Sequence, residues 1–208
     1  EYDLDTFLKK NGIPGICGVD TREITKIIRE RGVMNAMVCD ELPDELTGVK
    51  NDSIVNAVKS VTCDKTGEYL PEGETKYRVV LADYGAMHSI IRALVKRGCA
   101  VTVVPSHMTA GEILAINPDG IMLSNGPGDP AENGEIIKEL NKLFGKVPIF
   151  GIGLGHQLLA LSLGGKTVKL KYGHRGVNQP VRDLLGTRTY ITSQNHGYAV
   201  ISDTVKSG

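Results

Sequence analysis

The sequence predicts an α/β protein, a mostly parallel sheet with helices on both faces, preceded by part of a smaller α/β domain. Three observations carry this. From residue 77 onward, buried-looking runs of strand length alternate with helical patterns, the signature of a parallel sheet with crossover helices. An apolar run at 147–150 enters a glycine-rich turn and leaves as an apolar helix. A polar stretch at 65–76, with Gly and Pro and little periodicity, separates this region from what precedes it.

Taken in order, residues 2–8 read as a helix that begins without an initiator Met, so a truncated start is expected. Residues 12–19 form a short apolar segment broken by Gly and Pro. Asp20 or Thr21 then caps a helix carrying Ile24, Ile27 and Ile28 on one face, with Glu23 placed for a capping box. That helix ends at Arg31 and Gly32, a basic last turn followed by glycine. Residues 33–39 alternate as a strand, and 44–61 carry a weaker helical pattern. The expected organisation is therefore a partial N-terminal domain at 1–64, a linker at 65–76, and a second domain at 77–208.

In the second domain, strands are expected at 78–84, 101–105, 120–124 and 147–150, with helices at 89–97, 109–116 and 136–144 between them. After the helix that follows the glycine turn, 166–171, 179–182 and 189–192 read as shorter strands of a meander. Two connections rich in polar groups, 172–178 and 193–198, lie between and after these strands.

Lys and Arg total 24 and Asp and Glu total 24, so no electrostatic drive toward nucleic acid or an anionic membrane is expected. Trp is absent and aromatics make up 5% of the chain, which argues against a base-stacking surface. No apolar run has spanning length. Cys17, Cys39, Cys63 and Cys99 form no C-x-x-C pair and read as small apolar fillers of a reduced, cytoplasmic protein.

Two loops at strand ends stand out, because ligands in open parallel sheets collect beyond the carboxyl ends of the strands. In Gly151-Ile152-Gly153-Leu154-Gly155-His156-Gln157 the glycines serve either a tight strand-to-helix turn or a G-x-nucleophile-x-G elbow. A dinucleotide fingerprint would need glycine where His156 stands. Asn125-Gly126-Pro127-Gly128-Asp129-Pro130 is ordinary turn chemistry, or a loop offering unobstructed backbone N–H groups to a developing oxyanion.

Together these stretches resemble the class I glutamine amidotransferases. The first is similar to that family's G-[IVL]-C-x-G-[HQ]-Q elbow at every position except the cysteine, which is Gly153 here. The second matches the N-G-P-G-[DN]-P oxyanion loop, and Gln194-Asn195-His196-Gly197-Tyr198 matches the Q-N-H-G-[FY] segment. Residues 12–22, ending in Asp20-Thr21-Arg22, are similar to the front segment of the small, glutamine-hydrolysing subunits of carbamoyl-phosphate synthetases; so are Asp83-Tyr84-Gly85 and His174-Arg175-Gly176 with Asn178.

The resemblance implies a flavodoxin-like domain, incomplete at its C-terminus, whose glutamine site uses Gly126, Gly128, Leu154, Gln157, Asn195, Gly197 and Tyr198. The Leu154 N–H and the 126–128 loop would form the oxyanion hole, and Gly153 would hold the nucleophile's position. L-Glutamine and the large synthetase subunit are the implied partners, with ATP and Mg on that subunit and no cofactor in this chain. His196, attractive as a base on general grounds, falls by this likeness in a substrate-holding segment; the family's catalytic His and Glu come from a later segment. The chain is thus expected not to hydrolyse glutamine. A non-catalytic module that binds glutamine or regulates a partner is the alternative.

Overall fold

The computed structural model describes residues 2–52 and 54–205. The chain divides into two compact units, Glu1–Ser53 and Ile54–Gly208.

The first unit is helical among its described residues. Helix α1 (Leu4–Lys10) is capped by the Asp3 carboxylate on the Thr6 N–H. Helix α2 (Thr21–Arg31) is capped by Asp20, which accepts from the Arg22 and Glu23 N–H groups; Gly32, at φ +95°, follows its last turn. The rest of the expected 44–61 helix shrinks to α3 (Thr47–Lys50). Residues 33–39 do not form the expected strand. Alternation alone cannot hold a strand that finds no neighbour to pair with.

The second unit is built on a five-stranded sheet in the order β1-β3-β2-β4-β5. Its strands are β1 (Gly67–Tyr69), β2 (Tyr77–Asp83), β3 (Cys99–Pro105), β4 (Gly120–Leu123) and β5 (Ile149–Gly151). Strands β2 to β5 pair in parallel, and only β1 runs antiparallel, against β3. The expected 65–76 linker is therefore corrected: it contributes an edge strand, and the boundary between compact units falls earlier, after Ser53. Three residues suffice for an edge strand that satisfies its backbone on one side, so sequence periodicity had no room to show it.

Alternation along the strands divides the core. Val80, Ala82, Val104, Ile121 and Leu123 face α5 (Ala110–Ala115), α6 (Gly134–Leu143) and α7 (Leu154–Ser162). Leu81, Val101, Val103 and Met122 face α4 (His88–Val95) through Ile91. Helices thus cover both faces, as the near-continuous apolar strands require. Thr109 and Glu112 form a reciprocal capping box that starts α5.

The expected three-strand meander is instead a separate two-stranded ribbon of β6 (Lys166–Arg182) and β7 (Thr189–Ile201). Register shifts fall between Lys169 and His174 and between Gly176 and Gln179, and Gly173 (φ +72°) and Gly176 (φ +136°) absorb them. The glycines that read as strand ends are bulges inside one long strand. The 193–198 segment, expected as a connection, lies within β7.

Candidate active site

Strand β2 sits between β3 and β4, so the chain crosses from β2 to β3 in one direction and from β3 to β4 in the other, and the crevice of a doubly wound sheet opens beyond that point. Asp83 ends β2 there. Asp83 is 7% exposed, and its carboxylate accepts from the N–H groups of Gly85 (2.9 Å), Ala86 (2.7 Å) and Cys63 (2.8 Å). The loop after β2 is thereby fixed, and Asn125 stitches the loop after β4 onto it. The Asn125 Nδ2 donates to the Gly85 carbonyl at 2.9 Å, and its Oδ1 accepts from the Met87 N–H at 3.2 Å. Buried Ser124 adds a third tie, accepting from the Tyr84 N–H at 2.8 Å.

The loop after β5 reaches the same edge. Leu123 of β4 stands in register with Gly151 of β5, and the Ile152 N–H donates to the Leu123 carbonyl at 3.0 Å. Gly153 then takes φ +57° and ψ −114°, a conformation that L side chains rarely adopt, at the N-cap of α7. A Cβ at Gly153 would lie 3.6 Å from the Asn125 Cβ, in ordinary contact, so the turn has room for a side chain facing the β4 loop. The flanking glycines have none: a Cβ at Gly151 would fall 2.5 Å from the His156 N, and one at Gly155 would run into the Leu123 carbonyl. The strained turn is therefore imposed by backbone packing at 151 and 155, whatever residue stands between them.

The sequence-predicted oxyanion donors come together here. A Cβ at Gly126 would collide with the Tyr84 carbonyl and lie 2.8 Å from Leu154 Cδ2, so the two loops touch with nothing but glycine between them. The backbone N–H groups of Gly126, Gly128 and Leu154 donate to no protein acceptor among the described residues, and all three belong to this loop pair. Unengaged amides beside a helix N-terminus make a ready place for a carbonyl oxygen gaining negative charge.

Gln157, buried on α7, donates from Nε2 to the Tyr198 carbonyl on β7 at 2.7 Å. Partial burial, and then the carboxylate of Asp129 beside it, push the Tyr198 phenol above its ordinary value. Tyr198 thus ties the ribbon to the elbow helix through its backbone carbonyl, with its phenol near Asp129 of the 125–130 loop. Asn195 and Gly197 are carried on the same strand; Asn195 is exposed and stands opposite Arg175 in register, and neither touches the elbow through a side-chain hydrogen bond among the described residues. His196 turns into the ribbon, its Nδ1 2.8 Å from the Tyr198 carbonyl and its Nε2 2.8 Å from Gln194 Oε1 and 3.1 Å from His174 Nδ1. His156 is exposed on α7.

The cysteines depart from expectation: Cys17 and Cys39 are exposed, Cys63 is half-buried and only Cys99 is buried. Burial first and the neighbouring Asp83 second raise the Cys63 thiol above its ordinary value, so it is not an activated nucleophile. Sequence reading did not single out Asp83 and Asn125 as site-building residues. The available signal was an acidic residue ending a strand two positions before a glycine, which is the pattern of an Asx turn. Among the described residues, no group of three or more His, Cys, Asp or Glu is placed to hold a metal ion, and no helix is long and apolar enough to cross a membrane.

Residues 80–208 match the sequence family described as glutamine amidotransferase class-I. The chain belongs to that family. Residues 1–38 of this class-I amidotransferase chain match a second family, the carbamoyl-phosphate synthase small chain, CPSase domain. Among curated relatives, the carbamoyl phosphate synthase small chain of Clostridium perfringens is 48% identical over 206 residues, covering 96% of this chain and 57% of the relative. That of Listeria monocytogenes is 50% identical over 211 residues, covering 99% and 57%, and that of Lactococcus lactis 47% over 208 residues, covering 99% and 58%. The chain thus spans somewhat over half the length of these relatives. Among solved structures, a protein described as a GMP synthase subunit from Thermoplasma acidophilum superposes with a TM-score of 0.51 at 24% identity, over 64% of this chain and 68% of its own, a likeness of fold.

Proposed function

We propose that residues 54–208 form the glutamine-binding part of a carbamoyl-phosphate synthase small chain, in which Gly153 occupies the nucleophile's place and leaves the chain without glutaminase activity of its own. The observation that carries this reading is the junction of the elbow with the 125–130 loop: amides of Gly126, Gly128 and Leu154 share one edge of the sheet, and Gly153 stands across from Asn125 with room for a side chain.

The chemistry follows from those groups. The side-chain carbonyl of L-glutamine would accept from the Leu154 N–H and from the Gly126 and Gly128 amides, where the α7 macrodipole adds to the field. Asp83 and Asn125 hold the two loops so that these amides need not reorganise. Gln157 and Tyr198 hold the ribbon strand that carries Asn195 and Gly197 toward the bound amino acid. Attack on the amide carbon needs a nucleophile at 153 and a base, and glycine offers neither. In an intact enzyme the ammonia released would pass to a large synthetase subunit, which would hold the ATP and Mg used to make carbamoyl phosphate in the cytoplasm.

The glycine at 153 also favours a second reading, a pseudo-amidotransferase module that binds glutamine or steadies the large subunit without turnover. Calorimetric titration of the 208-residue chain with L-glutamine, beside an assay for glutamate release, tests the proposal. Saturable binding of L-glutamine but not D-glutamine, without release, supports it; no binding overturns it. Co-purification with a large synthetase subunit that still requires added ammonia would favour the second reading.

A further inference from the structure

Residues 56–63 lie outside both family matches, yet they are built into the wall of the candidate site. Ala57 and Val58 are buried at 6% and 3% exposure, and Val58 belongs to the core cluster that contains Leu123 and Leu154. The Thr62 hydroxyl donates to the Asp83 carbonyl at 2.7 Å and accepts from the Ser106 N–H at 2.9 Å. The Cys63 N–H donates to the Asp83 carboxylate at 2.8 Å. The segment is thereby pinned across the carboxyl ends of β2 and β3, and its other end reaches the oxyanion loop. There a Cβ at Gly128 would lie 2.8 Å from the Ala57 Cβ, and Gly128 holds φ +88°.

We propose that Ala57, seated by Val58 and Thr62, is a positioning residue that fixes the Gly128 amide, so that this strap is a working part of the glutamine site. The inference rests on the reading of that site given above. A glycine peptide has little intrinsic preference for one orientation, so the direction of its N–H must be imposed by what packs against it. Gly126 is held from one side by the Tyr84 carbonyl and by Leu154. Gly128 is held from the other side by the Ala57 methyl. The contact is limited in size: glycine at 57 leaves a gap, and a larger side chain pushes on the loop that presents the amide. Thr62 sets how firmly the strap is seated, because its single hydroxyl bridges two strand ends.

The test compares Ala57→Gly, Ala57→Leu, Thr62→Val and Thr62→Ser in the full chain. Three quantities are read: L-glutamine affinity by calorimetry, amide hydrogen exchange across 125–130, and Tm. In Ala57→Leu and Thr62→Val, exchange in 125–130 should accelerate while β2 and β4 keep their protection, and glutamine affinity should fall about tenfold, the scale of one well-made hydrogen bond. Thr62→Ser keeps the hydroxyl and should restore both. If Ala57→Leu does not fold, Ala57→Gly carries the same comparison with a smaller effect. Unaltered exchange and unaltered affinity in folded variants overturn the proposal, as does a loss of Tm with the loop still protected. Failure of the unsubstituted chain to bind glutamine would remove the functional reading alone, and the exchange of 125–130 would still decide whether Ala57 and Thr62 hold the loop.

Discussion

The Gln157 side-chain amide donates to the Tyr198 backbone carbonyl at 2.7 Å, joining the elbow helix α7 to strand β7. Replacing Gln157 with Leu keeps the volume and leaves that carbonyl without its donor. We expect a loss of about 1–3 kcal/mol in unfolding free energy, measured by urea denaturation. Faster amide exchange at 195–198 should accompany it; equal protection in the variant would show that the bond does not hold the ribbon.

Gly153 relieves strain that any other residue would carry. At φ +57° and ψ −114°, Gly153→Ala and Gly153→Cys should each destabilise the chain by about 1–3 kcal/mol. The introduced thiol would stand at the N-terminus of α7, where the macrodipole favours thiolate. Iodoacetamide with peptide mapping should label Cys at 153 ahead of exposed Cys17 and Cys39 and well ahead of Cys63, whose thiol is pushed up by burial and by Asp83. An unreactive thiol would mean that the turn serves structure alone.

The neighbouring glycines should behave differently. Gly151→Ala and Gly155→Ala place a methyl against backbone atoms of α7 and β4, which cannot step aside as a side chain can. Neither variant should accumulate as folded protein, while Gly153→Ala should. Soluble yield and far-UV circular dichroism of the three purified side by side check this order.

Tyr84 gives the alkaline limb of stability. It is 2% exposed, and burial alone raises its phenol well above the ordinary value of about 10. The folded state therefore binds the proton more tightly than the unfolded state. The stability this contributes is complete below about pH 10 and is lost as pH rises from there through the higher folded value. Tyr84→Phe cannot ionise, so its stability should fall less between pH 10 and 12 than that of the unsubstituted chain, read as the midpoint of urea unfolding at each pH.

Much of the second unit was legible because its signals are local and repeated. Thr109 with Glu112 marks a helix start, apolar runs of strand length mark β2 to β4, and glycines packed against backbone mark the elbow. What escaped was set by partners distant in sequence. Gly67–Tyr69 becomes a strand because β3 offers it an edge, whereas 33–39, with better alternation, has no such edge. Gly173 and Gly176 read as strand breaks and are bulges, since only the pairing of β6 with β7 decides between the two. The 125–130 loop and the elbow were visible as motifs, but the ties that hold them, from Asp83, Asn125, Thr62 and Ala57, join positions too far apart for spacing to reveal.

The β6–β7 ribbon has a consequence for how strongly the site can hold anything. Two strands alone are marginally stable in water, and much of this ribbon is solvated: Val177 is 79% exposed and Ile191 69%. On the reading proposed above, Asn195, Gly197 and Tyr198 ride on it, so the proposed site would be complete only in that fraction of molecules in which the ribbon is seated on α7. The apparent dissociation constant is then the intrinsic one divided by that fraction. Warming should unseat the ribbon before the five-stranded sheet loosens, and so weaken glutamine binding at temperatures where the core still reports a fully folded protein.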